Sequence, residues 1–317
     1  MNTPWVESPF FQEILQKKNL SETDKKLAQE YNENGFVVVS GLFSESQINQ
    51  VQQETERAFD KNFPIKTYRD EQRIQDLWMA SEAVKNLSCH PSLLAILEML
   101  YGREVIPFQT LNFRVGSQQR AHSDTIHFSS LPARFMCGVW VALQDITPEN
   151  GAVFYYPGSH KLPEYNFSHF KPEVKDTSYE DYKAYEDFIE SLVTVHGFEK
   201  KAFYAKKGDA LIWSSNIIHG GSKVEKPGSS RWSQVTHYYF KDCIYYTPML
   251  SNMVTNELFL RNNLVNMRNG KVVPQLYNGQ SINYVRTHKN KYVLNNHIKK
   301  QSAISKLFGN SLKVKDQ

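Results

Sequence analysis

The amino-acid sequence predicts a mainly β chain with flanking helices, folded as a sandwich or barrel. Three observations carry this expectation. From about Val105 onward, aromatic and β-branched runs recur at Phe135 to Leu143, Ala152 to Tyr156, Ala210 to Ser214 and Gln234 to Phe240, a composition that suits a pleated, half-buried surface. Turn clusters separate them, namely Thr147-Pro148-Glu149-Asn150-Gly151, Pro157-Gly158-Ser159, Lys207-Gly208-Asp209 and Pro227-Gly228-Ser229, and many short strands with such punctuation indicate a sandwich or barrel. The helical patterns lie mostly outside this region, so helices are expected first and last.

Taken in order, residues 1–34 are polar, with a helix expected from Glu22 to Tyr31. Gly35-Phe36-Val37-Val38-Val39 is a short β-branched run bounded by glycine and reads as a buried strand. Ser44-x-x-Gln47 is a capping box opening a helix whose Ile48, Val51 and Phe59 share one face. Pro91 suits the first turn of a helix over Leu93 to Tyr101, and Gly102 ends it. The segment Lys161 to Tyr204 interrupts the β region. It is rich in Glu, Asp and Tyr, with helix expected over Tyr179 to Val193, and is either a functional lid or a surface loop. Residues 1–286 are read as one domain with its β core at about 105–245, followed by a lysine-rich tail at 287–317. That tail is either solvated chain or a docking surface for an anionic partner, a phosphate-bearing carrier or a membrane.

The chain has 317 residues, 40% hydrophobic and 22% charged, as expected of a globular protein able to bury a core unaided. A net charge of +4 is too small to make nucleic acid the expected partner. Cys89, Cys137 and Cys243 are odd in number and widely spaced, which predicts neither a disulfide framework nor a zinc site and fits a cytoplasmic, reducing setting. The N-terminus lacks a basic stretch followed by an apolar run, so no signal peptide is expected. No apolar stretch approaches the ~18 residues of a membrane span.

His122-Ser123-Asp124 has the form His-x-Asp, and His219-Gly220-Gly221 lies far downstream with Arg231 twelve residues beyond it. Two imidazoles and one carboxylate on one metal form the facial triad of non-haem Fe(II) oxygenases, which leaves three positions open. On a strand, residues two apart point the same way, so His122 and Asp124 are expected to share a face while another strand supplies His219. A His-x-Asp alone is commonplace, and the surrounding sequence carries the weight.

From His122 to Arg231 the sequence resembles the phytanoyl-CoA dioxygenase family of Fe(II)/2-oxoglutarate oxygenases. His122-Ser123-Asp124 resembles its His-x-Asp. The run Val139 to Ala152 resembles its Trp-x-Ala-Leu-x-Asp…Glu-Asn-Gly block, through Trp140, Ala142, Leu143, Asp145, Glu149, Asn150 and Gly151. Tyr156-Pro157-Gly158-Ser159-His160 resembles its Pro-Gly-Ser-His turn. Lys207-Gly208-Asp209, then His219-Gly220-Gly221, then Arg231 complete the order. Asn34 to Leu42 resembles its N-terminal strand, and the likeness spans roughly residues 30–245.

The resemblance implies a double-stranded β-helix, a cupin-like jelly roll. It implies His122, Asp124 and His219 as ligands of Fe(II), with 2-oxoglutarate and O2 as cosubstrates. Arg231 would pair with the distal carboxylate of 2-oxoglutarate, since a planar guanidinium offers a bidentate fork. Trp140 would flank that cosubstrate, with Gly138 and Ala142 on its face, and Gln109 and Asn112 on the preceding strand would contact it. If Arg231 points inward, alternation adds Ser233, Val235, His237 and Tyr239 to the same face. Gln118, Gln119, Arg120, Thr125 and His127 surround the first ligand pair and, with His237, are the candidates for substrate contact. The implied reaction is hydroxylation of an unactivated C–H of a small or carrier-linked metabolite, with succinate and CO2 as co-products. Desaturation or ring closure at the same site is the near alternative, and a non-catalytic barrel that binds metal or ligand is the distant one. Family halogenases have Ala or Gly where this chain has Asp124, and its carboxylate argues for hydroxylation.

Overall fold

A computed structural model describes residues 2–170, 179–288 and 290–294. In chain order its elements are α1 (Phe11–Lys17), α2 (Glu22–Asn34), β1 (Phe36–Val39), α3 (Glu45–Ala58), β2 (Arg73–Gln75), α4 (Glu82–Ser88), α5 (Pro91–Tyr101), β3 (Val105–Phe113), β4 (Ser129–Leu131), β5 (Met136–Ala142), β6 (Val153–Tyr155), α6 (Tyr182–His196), β7 (Lys201–Phe203), β8 (Ala210–Ser214), β9 (His219–Gly221), β10 (Ser233–Phe240) and β11 (Ile244–Tyr246). Local chemistry sets the early boundaries. Ser44 caps α3 through the Gln47 amide while the Gln47 side chain accepts from the Ser44 amide at 2.9 Å, the capping box read from sequence. Pro91 opens α5 and Gly102, in the left-handed region at φ 71°, ends it.

A six-stranded sheet, in the order β1-β8-β5-β10-β3-β2, forms the main layer. Its strand pairs are all antiparallel. Strand alternation divides its residues between two faces. One face is covered by the N-terminal helices. Gln234 Nε2 donates to Val84 O of α4 at 3.1 Å, Tyr238 Oη donates to Ser88 O at 2.8 Å, and the largest apolar cluster lies between these layers. The other face meets a three-stranded sheet, β7-β6-β9, across a second cluster that includes Phe113, Trp140, Val153, Phe203, Trp213 and Val235.

The two sheets face each other, and among the described residues no strand pairing joins them into a closed barrel. Two expectations are corrected. His122 and Asp124 do not share a strand: His122 makes an isolated bridge, and Asp124 begins a short 3-10 turn, Asp124–Ile126. No α-helix follows α6 among the described residues. The late segment is built instead from short hairpins, one turned by Asn278-Gly279 at φ 50° and 78° between the paired Tyr277 and Gln280. The stretch read as a tail begins inside this region. Tyr284–His288 and Lys291–Leu294 pair with each other, the latter also pairs with Glu257–Phe259, and Lys291 is buried. The remainder of the proposed tail, 295–317, lies outside the described residues, as do 171–178 of the insertion.

The three cysteines are free thiols. No helix among the described residues is long and apolar enough to cross a membrane. Replacing Ser44 with alanine removes the side-chain half of the capping box on α3 and should lower unfolding free energy by about 1 kcal/mol with an unchanged denaturant slope. Urea titration followed by circular dichroism measures both quantities.

Candidate metal centre

Two backbone hydrogen bonds hold the centre together. His122 N donates to His219 O and His219 N donates to His122 O, each at 2.9 Å. This antiparallel bridge sets the two imidazoles side by side, ring centroids 4.5 Å apart. The glycines after His219 permit it. A Cβ on Gly220 would lie 2.7 Å from Gln119 O, and one on Gly221 would lie 2.8 Å from Gln118 N. No side chain fits where β9 runs against the 117–119 loop that leads into His122.

Each ring is oriented by its own backbone neighbourhood. His122 Nδ1 lies 2.9 Å from Arg120 O and His219 Nδ1 lies 3.1 Å from Ile217 O. A carbonyl only accepts, so Nδ1 carries the proton and each Nε2 keeps its lone pair. Both Nε2 atoms lie 3.9 Å from Asp124 Oδ1. The three ligand atoms fall within 4.8 Å of one another, and all three residues are buried. The other carboxylate oxygen, Oδ2, accepts from Trp213 Nε1 at 2.7 Å. Trp213 reaches it because Gly138, its partner across the β5–β8 ladder, has no side chain; a Cβ there would sit 2.3 Å from the indole. Burial holds both imidazoles down, to about 4, with His219 adding to the effect at His122 and Asp124 opposing it. Neutral imidazole is the ligating form. Soft ligands are absent, and two nitrogens with one oxygen on a single face match the donor set of an open iron site.

The triad opens into a cavity of about 560 Å³ between the two sheets, within the usual range for a small-molecule site. Of the candidates named from sequence, Arg231, Trp140, Gln109, Gln119, His127 and His237 line it. Arg231 is 2% exposed, and its guanidinium lies 5.5 Å from the Phe113 ring and 5.7 Å from the Trp140 ring. Its Nε has no hydrogen-bond partner, and no carboxylate of the described residues pairs with it. Burial lowers its pKa to about 10. A guanidinium in this position is a site prepared for an anion, because burying an unpaired charge costs several kcal/mol.

Four expected residues sit elsewhere. Asn112 occupies the opposite face of β3, where its Nδ2 donates to Gln234 at 3.2 Å and to Thr55 of α3 at 3.3 Å; alternation sends Gln109 and Asn112 to opposite sides. Thr125 faces the interior, with its Oγ1 2.7 Å from Ser123 Oγ. Gln118 accepts from Val224 N at 3.1 Å. Arg120 turns outward onto α6, with Asp187 at 2.7 Å and Glu190 at 2.6 Å. Of the face predicted with Arg231, Val235 and His237 reach the cavity, whereas Tyr239 stacks on Phe108 at 4.3 Å. The ladder slips between His237 and Tyr238, leaving Phe108 as the extra residue of a bulge.

Sequence reasoning missed Trp213, Tyr182 and Arg261. Trp213 lies in a run correctly read as a strand, but nothing in that run separates a tryptophan that orients a carboxylate from one that fills a core. Tyr182 opens α6 and reaches the cavity, its hydroxyl 3.2 Å from His127 Nε2 and 3.4 Å from Gln119 Nε2. Tyr185, one turn on, accepts from Ser123 N at 3.2 Å. The insertion thus packs on the loop that carries two of the three ligands.

Comparison with known proteins agrees with this geometry. The sequence pattern of the family described as Phytanoyl-CoA dioxygenase (PhyH) matches residues 31–231. The peroxisomal phytanoyl-CoA dioxygenase of Rattus norvegicus is 24% identical over 259 residues, covering 74% of this chain and 73% of that protein. The ectoine dioxygenase of Nocardia farcinica (strain IFM 10152) is 26% identical over 222 residues, covering 62% and 72%. Among solved structures, EctD from S. alaskensis with 2-oxoglutarate and 5-hydroxyectoine superposes with TM-score 0.58 at 19% identity, covering 78% of this chain and 84% of that one. The epimerase SnoN with Fe3+, alpha ketoglutarate and nogalamycin RO superposes with TM-score 0.56 at 18% identity, covering 86% and 98%. At that identity the structural likeness speaks for the fold.

Replacing Trp213 with phenylalanine keeps the ring and removes the donor to Asp124. Metal affinity should fall about 10- to 100-fold, read by competition against a coloured chelator, with folding checked by circular dichroism. The pH dependence follows from the lowered imidazole pKa values. Protons compete with metal only where the imidazoles protonate, so affinity should hold as pH falls through the ordinary value of 6.5 and drop on approach to about 4. A loss of affinity centred near 6.5 would contradict the burial argument.

Proposed function

The chain belongs to the phytanoyl-CoA dioxygenase family, and from that premise we propose that it is an Fe(II)- and 2-oxoglutarate-dependent dioxygenase that hydroxylates an unactivated C–H of a small or carrier-linked metabolite. The observation that carries this reading is a buried arginine without a counter-ion, Arg231, in the same cavity as a buried His–Asp–His cluster. A metal site alone fits many chemistries. A metal site with a buried guanidinium in its cavity that pairs with no carboxylate of the described residues calls for a ligand that carries an anion at its far end, as 2-oxoglutarate does.

In this reading His122, Asp124 and His219 hold the iron. Their Nδ1–H bonds and the Trp213 indole fix the ligand atoms before any metal arrives. Arg231 would hold the distal carboxylate of 2-oxoglutarate, with Phe113 and Trp140 as neighbouring aromatic walls that would strengthen the pairing by excluding water. Gln109, Gln119, His127 and His237 line the remaining space, where the substrate binds. When bound, iron with 2-oxoglutarate and O2 supplies the oxidation, with succinate and CO2 as co-products. The protein's part is to position the target carbon and to keep water out. The insertion acts as the lid, a role supported by Tyr182 at the cavity and by the Tyr185 contact with Ser123. The two facing sheets fit a double-stranded β-helix core, and the free thiols fit a cytoplasmic enzyme.

Anaerobic addition of Fe(II) and then 2-oxoglutarate should produce a visible metal-to-ligand charge-transfer band. His122→Ala should abolish it. Arg231→Ala should keep metal binding but weaken 2-oxoglutarate by roughly 2–5 kcal/mol, about thirtyfold or more. Bound iron with no band would exclude the cosubstrate.

A further inference from the structure

The family match ends at Arg231, yet the cavity is completed by residues beyond it. Thr247, Leu250, Phe259 and Arg261 all line it. Arg261 is the one that bears charge. Its backbone is pinned from two sides: its amide donates to Tyr245 O at 2.9 Å, and its carbonyl accepts from Gln275 Nε2 at 3.2 Å. Its side chain lies over an aromatic shelf, 5.4 Å from the Phe108 ring and 4.9 Å from the Phe128 ring. Phe108 occupies this position because it is the extra residue of the β3 bulge. The shelf continues to His237, whose ring lies 4.7 Å from Phe128 and within electrostatic range of both Asp124 and Arg261. A continuous surface therefore runs from the metal ligands to this guanidinium.

The guanidinium is positioned but not neutralised. Of its five N–H donors, one is used among the described residues, by Nη1 to Thr247 Oγ1 at 3.2 Å. No carboxylate of the described residues forms an ion pair with it. The nearby carboxylate of Asp76 is already engaged by Thr110 N at 3.1 Å, Trp78 Nε1 at 3.1 Å and Gln75 Nε2 at 3.3 Å. A third cavity arginine, Arg73, has among the described residues a loose carboxylate partner, Asp70 at 3.9 Å. The charge balance of the cavity then points outward. Among the described residues, Asp124 is the only acidic one in its lining. A divalent metal, Asp124, Arg231 and dianionic 2-oxoglutarate together cancel. Arg261 and Arg73 are left over, each offset only in part by a nearby carboxylate outside the lining, Asp76 and Asp70 respectively.

We propose that Arg261 is the specificity-determining residue for an anionic group on the substrate, a carboxylate or a phosphate, held on the Phe108–Phe128 shelf. This inference rests on the dioxygenase reading and narrows its substrate class. Neutral metabolites are disfavoured, because they would leave this half-buried guanidinium of the cavity lining without a counter-charge. The aromatic shelf and the apolar Leu250 and Phe259 suit a hydrocarbon or ring body behind the anion. The target C–H then lies between the anion and the metal, along the His237 side of the cavity.

The test uses the full-length protein with Ni(II) in place of iron and 2-oxoglutarate bound, so that no turnover occurs. Calorimetry compares 4-phenylbutanoate with 4-phenylbutanamide, and phenyl phosphate with phenol. In the wild type at least one anion should bind about tenfold or more tightly than its neutral partner, the scale of a charge-assisted hydrogen bond. Arg261→Gln should remove that preference and Arg261→Lys should restore part of it, with 2-oxoglutarate affinity and melting temperature held in both. Preference for the carboxylate or for the phosphate identifies which anion the substrate carries. Equal binding of anion and neutral partner, no anion binding, or a preference that survives Arg261→Gln would overturn the proposal. Failure of the wild type to bind Ni(II) and 2-oxoglutarate would instead sink the dioxygenase reading, and the two failures are read in separate steps.

Discussion

The centre depends on one antiparallel bridge. His122 and His219 come from segments far apart in sequence, and only their reciprocal backbone bonds at 2.9 Å bring the imidazoles together. Everything nearby serves that approach. Gly220 and Gly221 remove the side chains that would hold β9 away from the 117–119 loop, and Gly138 makes room for the indole that orients Asp124. Ligand geometry fixed by backbone costs no reorganisation when a ligand binds, which is the physical content of a preformed site.

Burial then sets the electrostatics. The cavity lies between two sheets, and His122, Asp124, His219 and Arg231 within it are buried. The imidazoles respond by staying neutral, which suits them as ligands. Arg231 cannot respond in that way, since a guanidinium near pH 7 keeps its proton even with a lowered pKa. Its cost must be met by an anion brought in from outside. Of the three arginines among the described residues that line the cavity, Arg231 is proposed for the cosubstrate and Arg261, half-buried over an aromatic shelf, for the substrate.

The insertion is coupled to the centre rather than appended to it. Arg120, two residues before the first ligand, meets acidic side chains of α6, while Tyr185 and Tyr182 reach behind and into the ligand loop. The exposed ion pairs contribute little stability individually. Their effect is positional: they set α6 across the loop so that Tyr182 contacts His127 and Gln119.

Much of this was legible in the sequence. Aromatic and β-branched runs and turn clusters located β5, β6, β8 and β10, the Ser44–Gln47 pair located α3, and His122, Asp124, His219 and Arg231 stood out through motifs in a fixed order. Those signals are local, because strand alternation, helix caps and ligand motifs are each written within a few residues. Tertiary structure decided the rest. His122 and Asp124 converge through a bridge and a 3-10 turn, which a strand-based reading cannot foresee. Asn112 is turned away while Gln109 faces the cavity, because the side of a strand that faces the site depends on which layer packs on it. Trp213, Tyr182 and Arg261 matter only through neighbours remote in sequence. A residue type announces what it can do; which partner it meets, and whether water remains to compete, is fixed only when the layers pack.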